Sequence, residues 1–144
     1  ALYHDSLIKP FPEVKETLQK LRDRDIQLAV VTSKYTKTAE RGMRCVGIDK
    51  MFDCVIGAEI SPHPKPAPDP SLLALRKLGL PGESCLCIGD SPYDLISGKS
   101  AGCITVAVAY SHVDKNLLQN EGKPDFWIQS FAEILELINK IERR

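Results

Sequence analysis

Across its 144 residues the sequence has no apolar run approaching the roughly 18 needed to cross a membrane, and its start has no basic segment leading into an apolar one. A membrane span is therefore not expected, and the composition points to a soluble, cytoplasmic protein. Net charge is also absent, because nineteen Lys and Arg balance nineteen Asp and Glu. With no basic cluster, electrostatics gives no reason to expect nucleic acid or a membrane surface as partner, and a small molecule is expected instead. The five cysteines show no Cys-x-x-Cys spacing, which excludes the usual zinc and redox motifs. Most of them sit inside apolar segments and are expected to be buried, reduced thiols. No Gly-x-Gly-x-x-Gly follows an apolar run, so a dinucleotide site is not expected. There is neither an internal repeat nor a low-complexity stretch, and the length suits one domain with one core. The chain begins at Ala1 rather than Met, as a processed chain or a piece of a longer one would.

What is present is an alternation of helical and strand patterns. Residues 1–12 end in Lys9-Pro10-Phe11-Pro12, where a helix cannot continue, and read as a tail or linker. Val14, Leu18 and Leu21 then recur at helical spacing among charges, predicting a helix to about Arg24. Ile26-Gln27-Leu28-Ala29-Val30-Val31 is nearly continuous in apolar character, as a strand buried on both faces would be. Thr36 can cap a helix that Gly47 stops, and Cys54-Val55-Ile56-Gly57 follows as a second strand. Asp69-Pro70 starts another helix, with Leu72, Leu73 and Leu75 as its apolar face and Gly79 at its end. The strand Cys85-Leu86-Cys87-Ile88, a helix over 95–101 and the β-branched run over 104–109 come next. A short helix over 114–120 and a minor strand, Phe126-Trp127-Ile128, precede a last helix. For that helix Ser130 and Glu133 form a capping box, and Ile134, Leu135, Ile138 and Ile141 form the buried stripe. The alternation implies an α/β fold, a Rossmann-like parallel sheet with helices on both faces.

In such sheets function gathers beyond the C-terminal ends of the strands. That rule selects Thr32-Ser33-Lys34, the loop carrying Lys65, and Asp90 with Asp94. Lys65 stands in a stretch, 60–70, that holds five of the ten prolines, a density that makes a loop stiff and extended. Such a loop fixes a lysine in a way that a solvated surface charge does not need. Asp90 and Asp94 admit two readings. Two carboxylates so close resist joint ionisation unless a cation lies between them, and oxygen ligands at a strand end suit Mg²⁺ shared with a phosphate. Alternatively the segment is an acidic turn in which Asp94 caps the next helix. Singly, Thr32 can be a strand end and Lys65 a surface charge. Together they favour a phosphate pocket: Thr32, beside Ser33, donates to a phosphate oxygen, Lys65 offsets its charge, and Asp90 binds the metal.

These residues fall in strings that a known family uses. Val30-Val31-Thr32-Ser33-Lys34, Lys65-Pro66-Ala67-Pro68-Asp69, and Ile88-Gly89-Asp90-Ser91 with Asp94 resemble the second, third and fourth motifs of the haloacid dehalogenase superfamily. Lys9-Pro10-Phe11-Pro12 and Ser97-Gly98-Lys99-Ser100-Ala101-Gly102 are similar to the phosphoglycolate phosphatase and pyrophosphatase branch. The resemblance implies Mg²⁺-dependent hydrolysis of a small phosphorylated substrate through an aspartyl-phosphate. By it, Thr32 and Ser33 bind the phosphoryl oxygens, Lys65 steadies nucleophile and phosphate, Asp90 ligates Mg²⁺ and Asp94 supports that site.

The family's nucleophile and acid/base partner belong to an Asp-x-Asp directly after an apolar strand, and no such element occurs here. Asp23-Arg24-Asp25 precedes a strand instead of following one, and Asp5 stands alone. Neither a metal site nor Lys65 replaces an aspartate held in line with phosphorus. The resemblance thus implies a core, 13–144, lacking its first, central strand, with residues 1–12 as the remnant of a cap or linker. A chain of that kind is expected to be the C-terminal portion of a hydrolase, inactive by itself, and its exposed strand edges could pair with a second copy. The competing expectation is a non-catalytic module that binds phosphate and Mg²⁺ without turnover. A response-regulator receiver places its acid pair on the first strand and its lysine after the last, an order this sequence does not show.

Overall fold

The computed structural model describes residues 2–3 and 12–143. Six parallel strands form one sheet: β1 (Leu2–Tyr3), β2 (Ala29–Val31), β3 (Cys54–Ile56), β4 (Leu86–Gly89), β5 (Ile104–Val108) and β6 (Phe126–Ile128), in the order β3-β2-β1-β4-β5-β6. The helices are α1 (Pro12–Asp23), α2 (Thr36–Cys45), α3 (Asp69–Leu78), α4 (Pro92–Ser100), α5 (Lys115–Leu117) and α6 (Glu133–Glu142).

Successive strand residues point to opposite faces, and this period of two divides the core. Val30, Leu86, Ile88, Val106, Val108 and Ile128 meet Val14, Leu18 and Leu21 of α1, Met43 of α2, and Ile134, Leu137 and Ile138 of α6. Their neighbours Ala29, Val31, Ile56 and Cys87 face Ala74, Leu75 and Leu78 of α3, while Ala107 meets Leu95 of α4. The second face is built of small residues, so its helices lie close to the sheet. A Cβ added to Gly98 in α4 would come within 2.5 Å of Cys87 Sγ. The α/β sheet expected from the alternation is present, and the stripe of α1 is buried as its spacing requires.

Several local expectations need correction. The position between β2 and β4, expected to lack its strand, is taken by β1: Leu2 pairs with Ala29 and Cys87, Tyr3 with Val30 and Ile88. Those two residues are strand and not linker, while Asp5 and the rest of the expected tail through Phe11 lie outside the described residues. Strand β2 starts at Ala29 and not Ile26, because α1 runs into a tight terminus in which the Ile26 N–H bonds the Leu21 carbonyl and Asp25 takes φ 60°. Helix α2 begins on Thr36, with Tyr35 at the cap and no side-chain cap of its own. Glu59, from the loop after β3, supplies the missing acceptor and takes both the Thr36 N–H (2.9 Å) and its hydroxyl (3.1 Å). Helix α3 starts and ends as the Asp-Pro and Gly79 signals require, but Leu72 points outward and Ala74, Leu75 and Leu78 form its buried face. Helix α6 starts at Glu133, two residues beyond where a Ser130 cap would start it, and Glu133 instead accepts from the Gln129 N–H.

All five cysteines are free thiols, with Cys85, Cys87 and Cys103 buried, as expected from their apolar settings. Among the described residues no helix is long and apolar enough to cross a membrane.

Candidate functional site

The C-terminal edge of the sheet gathers the polar residues singled out above. Thr32 leaves β2 as a buried residue, its N–H bonded to the Ile56 carbonyl of β3 and its Oγ1 accepting from the Lys34 N–H at 3.0 Å. A hydroxyl has one proton and two acceptor sites, so accepting from Lys34 leaves the Thr32 proton to donate. Ser33, next along the turn, is exposed.

Lys65 comes from the proline-rich loop and enters the same edge. Its Nζ donates to the Val31 carbonyl at 3.1 Å and to Asp94 Oδ1 at 2.7 Å. The two side chains are 6% and 4% exposed, so this is a buried ion pair. An ammonium has three N–H groups, and these two bonds leave one more to donate.

Asp90 and Asp94 lie on either side of the turn into α4. Ser91 is the N-cap: its Oγ accepts from the Asp94 N–H at 3.3 Å, and Pro92 takes the first helical position, where its missing N–H has no cost. Asp94 is therefore not the cap. It sits in the first turn, where the helix dipole favours a carboxylate. Its Oδ1 holds Lys65 and its Oδ2 accepts from the Asp90 N–H at 3.2 Å. Gly89 makes this approach possible, since a Cβ there would lie 2.5 Å from Asp94 Cβ. Val31, Lys65, Asp94 and Asp90 thus form one continuous hydrogen-bonded chain across β2, the loop, α4 and the end of β4.

Two residues absent from the sequence reading complete this edge. Ser111, after β5, donates to the Asp90 carbonyl at 2.6 Å and accepts from the Val113 N–H at 3.0 Å, pinning the backbone that presents Asp90. Tyr110 stands beside it with its phenol pushed up to about 12, first by partial burial and then by the Glu13 and Asp90 carboxylates. Nothing in the sequence around Ser111 signals this contact. Ser91 could have been found from Ser followed by Pro, a helix-start signature.

As a donor set for a metal, the edge offers few ligands. Among the described residues no group of three or more His, Cys, Asp or Glu side chains is assembled. That does not suit a metal enclosed wholly by protein. It is compatible with Mg²⁺, which keeps several waters and takes one or two carboxylates together with a phosphate. Asp90 is the half-buried carboxylate at the strand end, and Asp94 has both oxygens engaged behind it.

The chain is similar to several known proteins in sequence and in fold. A PpaX protein of Caldanaerobacter subterraneus subsp. tengcongensis is 44% identical over 136 residues, covering 94% of this chain and 61% of that protein. Pyrophosphatase PpaX of Oceanobacillus iheyensis is 36% identical, covering 94% of this chain and 63% of its own length. The chain therefore spans less than two thirds of these relatives. A crystal structure of a predicted phosphoglycolate phosphatase from Haemophilus somnus superposes with TM-score 0.80 at 36% identity, over 89% of this chain and 56% of that one. A family model for haloacid dehalogenase-like hydrolases matches residues 1–108, three quarters of the chain, and the chain belongs to that family.

Proposed function

We propose that this chain carries the phosphate- and Mg²⁺-binding half of a phosphoric-ester or anhydride hydrolase of the pyrophosphatase and phosphoglycolate phosphatase branch. The observation that supports it most is the hydrogen-bonded chain from the Val31 carbonyl through Lys65 and Asp94 to the Asp90 N–H. It holds one cation and one carboxylate at the sheet edge where Thr32 follows Val31, and a phosphoryl group with its metal calls for such a pair.

In this reading Thr32 and Ser33 donate to phosphoryl oxygens. Lys65 donates its remaining N–H to the same group, and Asp94 keeps the ammonium aimed. Asp90 holds Mg²⁺ with its carboxylate, and Ser111 and the Asp94 carboxylate keep its backbone in place. Bound Mg²⁺ neutralises charge on the phosphoryl group. The aspartate that takes the phosphoryl group, and the acid that serves the leaving group, are supplied by a segment this sequence does not contain, and substrate choice lies with that segment too. The 144-residue chain binds phosphate with Mg²⁺ but does not turn over esters.

Calorimetric titration with inorganic phosphate, with and without Mg²⁺, tests the site. Tighter phosphate binding with Mg²⁺ is expected, with Asp90→Asn removing the Mg²⁺ dependence and Lys65→Met removing the binding. Phosphate affinity that neither substitution moves would rule the site out. A second reading is a binding module without chemistry. Phosphate bound without turnover of pyrophosphate or phosphoglycolate by the naturally full-length protein would support it.

A further inference from the structure

Two hydroxyls are buried between α3 and α4. Ser97 in α4 has no exposed surface and Ser71 in α3 is 2% exposed. The Ser97 Oγ donates to the Ala67 carbonyl at 2.7 Å and lies 3.2 Å from Ser71 Oγ. Since Ser97 has one proton and gives it to Ala67, Ser71 is the donor in the second bond, and the relay runs Ser71 to Ser97 to Ala67. Ala67 is two residues beyond Lys65 in the proline-rich loop, and Ser97 is three residues beyond Asp94 on the same helical face. One face of α4 therefore meets the loop at two points: Asp94 accepts from the Lys65 ammonium, and Ser97 donates to the Ala67 carbonyl.

We propose that Ser97 is a positioning residue, whose bond to Ala67 sets the loop at the height on α4 that brings the Lys65 ammonium onto Asp94. The flexible lysine side chain alone does not fix the loop; the second point does. Ser71 holds the Ser97 oxygen and has the lesser effect. The consequence for ligand binding rests on the phosphate-site reading, but the positioning itself does not.

Amine acetylation followed by mass spectrometry reads the positioning directly. In the native chain Lys65, buried and paired, should label far more slowly than the exposed Lys37 and Lys115. Ser97→Ala should raise the Lys65 rate about fivefold, the scale of one buried hydrogen bond, leaving Lys37 and Lys115 unchanged. Ser71→Ala, which keeps the bond to Ala67, should raise it less than about twofold. If Ser97→Ala melts too early to be measured, Ser97→Cys puts a weaker donor in the same place and should fall between. A folded Ser97 variant with unchanged Lys65 labelling overturns the proposal. Phosphate titration of the same proteins separates the two ideas. If the native chain binds no phosphate, the site reading fails while the labelling still decides the role of Ser97. If it binds, Ser97→Ala should weaken affinity without changing the Mg²⁺ requirement.

Discussion

Lys65 Nζ and Asp94 Oδ1 meet at 2.7 Å, in a place where each side chain is more than nine-tenths hidden from solvent. Each charge is nearly withdrawn from solvent, so removing one leaves the other buried without its counter-charge. Lys65→Met or Asp94→Leu should each destabilise the fold by about 3–5 kcal/mol, the range for breaking a buried pair. The double substitution should cost much less than the sum, because it leaves no orphaned charge. Urea denaturation of the four proteins gives the coupling. Additive single effects would show that the pair is not a unit.

Gly89 ends β4 where Asp94 folds back onto it, and a methyl there would overlap Asp94 Cβ at 2.5 Å. Gly89→Ala should therefore cost about 1–3 kcal/mol through overpacking and also weaken Mg²⁺-dependent phosphate binding, because the Asp90 N–H bond to Asp94 is displaced. Gly42, inside α2 with nothing within 4 Å of an added Cβ, gives the contrast. Gly42→Ala should raise stability by about 0.8–1 kcal/mol without touching phosphate affinity. Both are read from urea midpoints and titration. Equal effects of the two substitutions would refute the packing argument.

Much of this architecture could be read from the sequence because one physical rule covered it. The apolar runs at Val30-Val31, Cys85 to Ile88 and 104–109 are strands because both sheet faces are covered, and the turn residues beyond them had to lie at one edge. Lys65 could be picked out because its neighbours are prolines. What could not be read depends on contacts distant in sequence. Glu59 caps α2 from 23 positions away, and Ser111 reaches Asp90 across 21. Asp94 looked equally like a cap and a metal ligand, since only the loop's return shows its oxygens turned to Lys65 and to Asp90. Leu72 failed for a simpler reason: three leucines in a row of four cannot all face one side of a helix.

The buried thiols make the fold sensitive to alkali. Burial pushes Cys103 from an ordinary 9.0 up to about 12, and burial first, then the nearby Cys103 and Asp94, pushes Cys87 higher still. The unfolded chain releases these protons near pH 9 while the folded chain holds them, so the unfolded state binds fewer protons over that window. Their contribution is fully present below pH 9 and declines as pH rises towards the folded value. Urea midpoints should fall between about pH 9 and 11, and less steeply in Cys103→Ala. A thiol reagent at neutral pH should modify the exposed Cys45 promptly and Cys85, Cys87 and Cys103 only on unfolding. A slope identical in the Cys103 variant would assign the alkaline loss to other groups.

Glu59 joins the loop after β3 to the first turn of α2, directly following the Thr32 turn. The backbone N–H of Thr36 is the chief cause holding its carboxyl below the ordinary 4.5, with further hydrogen bonds, including the Thr36 hydroxyl, and Lys37 adding to it. The sign follows from ionisation: the folded state prefers the carboxylate, so the contribution is present above the ordinary value and lost as pH falls through the lowered one. Because Glu59 is fully exposed, the effect should be local to the helix start. In amide spectra the Thr36 N–H signal should titrate with a midpoint below 4.5, and Glu59→Gln should abolish that titration while leaving distant amides unmoved. The same substitution should loosen the turn through Lys34, whose carbonyl accepts from the Ala58 N–H one position before Glu59, and so weaken phosphate binding modestly at neutral pH. A Thr36 signal that ignores pH in the native protein would mean that some other group caps α2.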